Sequence, residues 1–515
     1  MAGSSVSLIS LPNELIYSII DFARPHGFQN LLLACKHIYA VGRPLINDYN
    51  LGRRWVSYSI QGRTSGSQPI TLLQLQQTLP ATPKKVQEWI GLYVNQVNLR
   101  RVSSRRRSGI ILSSRPIPHT SIPSWLRDEL NQIINECPEL KPERRANLVV
   151  KKPAPDQCIE WHSDLWLSLS GRRCGYGTFT QLPALFLFAN LHRLSLQVEK
   201  VPFGMSLKEK SAVDSHVILG RIIKRHHGRR YFQQLEELKV DENGSAGIKF
   251  IAPWMLLPNL KALMVHGLHD YGQHTDSMLA KILPAEFKSS IQHLVLPQVI
   301  LKEKTMRKLL SHIGGLRTLV WQHVKHDLPD RSFRPNVLAR LLVRSSSQSL
   351  RCLVMTTKNG DQDPIATTKQ IHHFKRFSKL THIAIDSKLL RPKNISSSEE
   401  LQRCKARSLT KVLPRQIEVL AIHFKEDRPG ILRAMLRYLG RKISLFPNLH
   451  LIEIRFVGSK HRSPDFFKQF KSMQRRLQSV NVSLEWGCSR DESANFQSNM
   501  RVVKQITSMD WFFEA

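Results

Sequence analysis

The side chains of this sequence that could do chemistry are overwhelmingly cationic. Arg100, Arg101, Arg105, Arg106 and Arg107 crowd one stretch, with Ser103 and Ser108 between them and no acid before Arg115. A second cluster, Arg221, Lys224, Arg225, Arg229 and Arg230, runs into Tyr231 and Phe232. Such density suits the phosphates of a polyanion, because each contact neutralises a charge and releases a counterion. Serine following paired arginines is also a context that basophilic kinases accept. A phosphate on Ser103 or Ser108 would add about −1.5 to −2 charges beside those guanidiniums.

Catalytic chemistry is not indicated. The sequence holds no Walker loop, no G-x-G-x-x-G, no H-E-x-x-H and no G-x-S-x-G. His226-His227 and His372-His373 sit in basic surroundings and read as solvated faces. Cys158, His162 and Cys174 form the one ligand-like grouping, but no C-x-x-C pair accompanies it. No nucleophile stands with a base. The expectation is a binding protein that is not itself an enzyme, with no catalytic residue, no metal and no cofactor.

Charge bounds the partners. Lysine and arginine number 76 against 40 acids, a net +36 over 515 residues. The excess is uneven: Arg24, Lys36 and Arg43 balance Glu14, Asp21 and Asp48 in the first fifty residues. From Leu51 to Arg127, Glu88 is the only acid. Three readings stay open: a soluble surface with a basic bias, a steering surface for acidic proteins, or a phosphate-binding surface. No apolar run approaches the roughly 18 residues of a membrane span, and Met1 to Ser7 is small and polar rather than signal-like. A protein of the cytoplasm, the nucleus or both is expected, with no membrane partner.

The elements that must position any site begin at the amino terminus. Leu11, Leu15 and Ile19 recur every four residues, and Ile16 and Ile20 widen that stripe, as on an amphipathic helix. Pro12 fits a first helical turn, with Ser10 as a candidate cap, and Pro25 and Gly27 end the helix. Leu31 to Ala34, Ile38, Tyr39, Val41 and Leu45 continue the apolar pattern. A helical hairpin over residues 7–50 follows, too small for a self-sufficient core.

Residues 51–180 read as a linker and basic entry region. Gln61 to Pro69 is a loop, Val94 to Leu99 a short strand, Arg100 to Arg115 an exposed loop and Ser124 to Cys137 a helix. Residues 181–515 read differently. The pattern apolar-x-x-apolar-x-apolar recurs as LHRLSL at Leu191, LEELKV at Leu235, LKALMV at Leu260, IQHLVL at Ile291 and LRTLVW at Leu316. It continues as LRCLVM at Leu350, LTHIAI at Leu380, IEVLAI at Ile417, LHLIEI at Leu449 and LQSVNV at Leu477. Spacing runs from 25 residues (Leu235 to Leu260) to 44 (Leu191 to Leu235), with helical patterns between. Stacked strand–helix units would close one core and leave a strand-lined concave face, the residues between the first and fourth positions pointing outward. Trp511, Phe512 and Phe513 suit a terminal cap.

Both halves resemble known families. Leu11-Pro12-x-Glu14-Leu15, Ile19, Leu31-x-Leu33-Ala34-Cys35-Lys36 and Tyr39 resemble the F-box, and the recurring strand pattern resembles leucine-rich repeats. The expected fold is α/β: an N-terminal helical F-box hairpin followed by an irregular leucine-rich-repeat solenoid. The resemblance implies a substrate receptor that binds the Skp adaptor, and through it a cullin, in a ubiquitin ligase. Leu11, Pro12, Glu14, Leu15, Ile19, Leu31, Leu33, Cys35, Lys36 and Tyr39 would then meet the adaptor, and the repeat face would meet a protein target. The alternative is a basic repeat scaffold for nucleic acid or other polyanions.

Overall fold

In a computed structural model of the chain, the residues described are 8–23, 27–53, 57–60, 96–99, 132, 136–137, 191–198, 215–226, 230–242, 246–270, 275–324, 334–358, 371, 373–390, 412–424, 439–457 and 464–489. Two compact units divide the chain, Met1–Glu237 and Leu238–Ala515.

The first unit opens with helices α1 (Asn13–Phe22), α2 (Phe28–Leu32), α3 (Lys36–Gly42) and α4 (Ile46–Arg53). The expected hairpin is thus a four-helix cluster. Gly27 and Cys35 each precede a new helix. Strands β1 (Ser57–Ile60), β2 (Gln96–Leu99) and β3 (Arg193–Val198) pair in that order, all parallel, and α5 (Ser215–Arg225) follows.

In the second unit, the elements run β4 (Glu237–Glu242), β5 (Ala246–Gly247), α6 (Ile248–Ile251), β6 (Ala262–Val265), β7 (Leu268–His269), α7 (Thr275–Ile282) and β8 (His293–Val299). Then come α8 (Glu303–Ser311), β9 (Thr318–Val324), α9 (Pro335–Ser346), β10 (Cys352–Lys358), β11 (His382–Asp386) and β12 (Val419–Phe424). The described part ends with β13 (Leu451–Val457), α10 (Pro464–Gln478) and β14 (Ser483–Ser489). The strands lie side by side in sequence order, β4-β6-β8-β9-β10-β11-β12-β13-β14, with β5 and β7 forming a separate pair. The fold is mixed α/β, built on a parallel sheet with helices in the connections.

Each apolar-x-x-apolar-x-apolar match places a strand two residues after its start, from Leu191 and Arg193 to Leu449 and Leu451, except the last. The match at Leu477 is a correction. Leu477 belongs to the end of α10, and its carbonyl accepts the Val482 N–H at 3.0 Å. Asn481 turns the chain with φ 59°, a left-handed value that asparagine tolerates, so the strand begins only at Ser483.

Of the two positions expected to point outward, the second is exposed at Lys261, Arg317 and Arg351. The third is buried at Ala262, Thr318, Cys352 and Val419, which corrects the expectation there. One face carries Leu263, Leu294, Leu319, Leu353, Ile383 and Leu420, all buried. The opposite face carries Met264, Val295, Val320, Val354, Ala384 and Ala421, which are buried as well and form one cluster with Ala262 and Cys352. Parallel strands covered on both faces read as near-continuous apolar runs, and LRTLVW and LTHIAI do so. That second face is polar at Lys239 of β4 and Glu453 of β13, both half-buried, and at Glu485 of β14, exposed.

Two buried carboxylates fix the connections. Asp386 accepts from the Thr357 N–H and hydroxyl, each at 2.7 Å, tying β11 to β10. Asp270 accepts from the Lys302 N–H and the Thr305 hydroxyl, each at 2.8 Å, at the start of α8. A buried carboxylate needs such donors to offset its lost hydration.

Candidate functional site

The α1–α4 cluster is built by splitting one apolar stripe in two. Pro12 takes the position just before α1 (φ −53°, ψ 146°), so Ser10, in a preceding 3-10 turn, is not the cap. The Pro12 carbonyl accepts the Leu15 and Ile16 N–H groups at 3.0 Å, starting the helix. Ile16 and Ile20 then point inward and meet Phe28, Leu32, Ile38, Leu45 and Tyr49 in a filled core. Phe28 and Tyr49 stack with ring centroids 4.3 Å apart. Gly42 closes that core: a Cβ there would lie 2.3 Å from Leu32 Cδ2 and 3.2 Å from Ile20 Cδ1. The Cys35 sulfur accepts the Ile38 N–H at 3.5 Å, a side-chain cap on α3.

The other half of the stripe stays outside. Leu15 and Ile19, neighbours one turn apart on α1, are exposed, Leu15 to 51%. Leu33 projects from the α2–α3 turn at 74% exposure, and Tyr39 from α3 at 47%. Of the residues assigned to the adaptor, Pro12, Glu14, Leu15, Ile19, Leu33, Lys36 and Tyr39 are exposed, while Leu11, Leu31 and Cys35 are half-buried. Ile9 and Tyr17 are exposed too and escaped the sequence reading, because neither falls on the four-residue period. Burying apolar groups that a small domain leaves in water is the ordinary driving force of association.

The second cationic cluster is only partly assembled. Arg221, Lys224 and Arg225 are exposed on α5, spaced to share one face, while Ile222 and Ile223 are buried. Arg230 is drawn elsewhere: its guanidinium lies 2.6 Å from Glu136 Oε2 and over the Tyr231 ring, 5.3 Å from the centroid. The Tyr231 hydroxyl donates to the same Glu136 oxygen at 2.9 Å. That hydrogen bond, ahead of Gln132 and Arg230, holds the Glu136 carboxyl below the usual carboxylate range. Arg230 is therefore an internal pairing residue, and Arg229, Arg100, Arg101, Arg105, Arg106 and Arg107 lie outside the described residues.

Compared with known proteins, this chain matches no protein-family model and no curated protein. The geometry has to speak for itself.

Among the described residues, no helix is long and apolar enough to cross a membrane, and no group of three or more His, Cys, Asp or Glu could hold a metal ion. Cys158, His162, Cys174 and the expected cap at Trp511 to Phe513 lie outside the described residues. Cys352 is a core residue, its thiol pushed up to about 12 by burial, which keeps it protonated and unreactive.

Proposed function

We propose that this chain is a substrate-recognition subunit of a Skp–cullin–F-box ubiquitin ligase. The single observation that carries the reading is the split stripe of α1–α4. Its inner half is buried, and its outer half offers Leu15, Ile19, Leu33 and Tyr39 to a partner. Those four are among the positions where the F-box resemblance puts the Skp adaptor. Transfer of ubiquitin belongs to the other subunits, so the chain works by holding two proteins together, in the cytoplasm or the nucleus.

The strand array supports the second half of this reading. Strands in sequence order, nine of them announced by the same six-residue pattern, fit an irregular leucine-rich-repeat solenoid. Its target-binding part is assigned to the β13–β14 end, where the second face is polar and Glu485 is exposed.

Co-purification of the full-length chain with the Skp adaptor and a cullin tests the proposal. Wild type is expected to retain both, and Leu33→Asp to lose both while staying folded. Wild-type protein that recovers neither subunit would refute the ligase reading.

A further inference from the structure

One surface of the second unit is used by nothing described so far. Each strand of the sheet is entered through one equivalent residue, whose carbonyl accepts from the next rib. The Arg317 carbonyl accepts the Arg351 N–H at 2.8 Å, and the Arg351 carbonyl accepts the Thr381 N–H at 3.0 Å. Strands therefore carry their entry residues past one another at about 4.8 Å per step. Lys261, Arg317 and Arg351 occupy such positions at β6, β9 and β10, and all are exposed. Lys288 and Lys379 lie in the turns entering β8 and β11 and are exposed as well. At β12 the equivalent entry residue is the acid Glu418.

We propose that this amino-terminal rim, from β6 to β11, binds the phosphate backbone of duplex nucleic acid. The inference is independent of the adaptor reading and moves the polyanion surface away from the arginine-rich stretches that the sequence emphasises.

Three features select this occupant. The row is linear: four strand steps (β6-β8-β9-β10-β11) span roughly 20 Å, which suits a polymer of evenly spaced charges better than a compact anion. Gly314 and Gly315 lie between Lys288 and Arg317. A Cβ on Gly315 would meet nothing within 4 Å, so no side chain fills the space beside Arg317 there. Among the described residues, no large exposed apolar side chain lies on the rim; those of the second unit are Leu445, Val480 and Trp486. A protein partner needs apolar anchors, whereas phosphate contacts do not. The lack of rim aromatics also disfavours single strands, which stack their bases on such rings.

The charge density of the rim has an internal witness. The His293 imidazole, at the entry of β8, is pushed down to about 4, first by burial and then by the neighbouring Arg317 guanidinium.

The experiment compares two full-length triple variants of equal charge change, titrated with a fluorescent 24-base-pair DNA duplex at several salt concentrations. One removes the rim, Arg317→Ala, Arg351→Ala and Lys379→Ala. The other removes exposed cations of α10, Lys471→Ala, Arg475→Ala and Arg476→Ala. Binding to the rim is expected to lower the salt slope of the first variant by about 2 to 3, roughly 0.9 per lost phosphate contact. Its affinity near 0.1 M salt should fall at least about tenfold, with the α10 variant close to wild type. Thermal melts of both variants should match wild type, since every altered side chain is exposed. Equal losses in the two variants would mean diffuse charge and overturn the proposal. So would rim-dependent binding of polyglutamate with none of the duplex.

Discussion

The α1–α4 cluster and the parallel sheet of the second unit both begin as dense apolar sequence, and they spend it in opposite ways. In the cluster, neighbours in one stripe divide: Ile16 and Ile20 go inward, while Leu15 and Ile19 stay in water. In the sheet, neighbours such as Leu319 and Val320 face opposite sides, and both sides are buried. A forty-residue cluster has too little interior to hide all its apolar groups, and a stacked sheet with two covered faces has room for nearly all. Apolar character thus stays partly in water in one region and packs on itself in the other, and only burial separates the two cases.

Five substitutions and one change of pH probe that contrast, beginning with the largest effect. Val320→Asp would bury an unpaired carboxylate between covered strands and should unfold the second unit, at a cost above about 4 kcal/mol. The same change at Leu33, in the cluster, should leave the urea midpoint of unfolding within about 0.5 kcal/mol of wild type. If both are tolerated, the second face of the sheet is not buried. Next comes Leu319→Ala, which should cost about 2–5 kcal/mol by chemical denaturation, the range for a packed leucine.

Acid should act on the sheet at the level of single imidazoles. His293 is held well below its ordinary range, and His382 is lowered too, first by burial. The native state keeps these rings neutral, while the unfolded chain takes up protons below about 6.5. Stability is therefore complete above about pH 6.5 and declines as pH falls toward 4. His293 alone accounts for up to about 3 kcal/mol. Replacing His293 with Gln should flatten that part of the stability–pH curve. A curve unchanged by the substitution would mean that the ring is solvated in the folded state. The smallest effect is expected for Arg317→Ala, within about 0.5 kcal/mol, because an exposed cation on the sheet rim packs against little.

Much of this fold could be read from residue spacing, and the failures have physical causes. The strand starts were legible because Leu260, Leu316 and their equivalents repeat a pattern that nine of ten times precedes a strand. Which side of each strand met solvent was not legible. Thr318 and Val320 look alternately polar and apolar, yet both are buried. The covering of a face is a tertiary fact with no local signature. The last strand was misplaced because Leu477 serves a helix end, and the left-handed turn at Asn481 shifts the register. In the α1–α4 cluster the apolar positions were legible, but their division into core and surface was not. A period of four marks Leu15 and Ile16 alike. The cationic clusters were visible as composition only. That Arg230 is pulled to Glu136, ninety-four positions away in sequence, depends on a contact that no spacing rule encodes.

The most direct test measures binding of the purified Skp adaptor to the full-length chain by calorimetry, for wild type, Leu15→Asp and Leu33→Asp, with circular dichroism on each. An outer face made for docking predicts measurable wild-type binding and losses of at least about 2 kcal/mol in each variant, the scale of interface anchors, with unchanged spectra. Wild-type binding that survives both substitutions undiminished would contradict it, because the exposed half of the stripe would then contribute nothing to the contact.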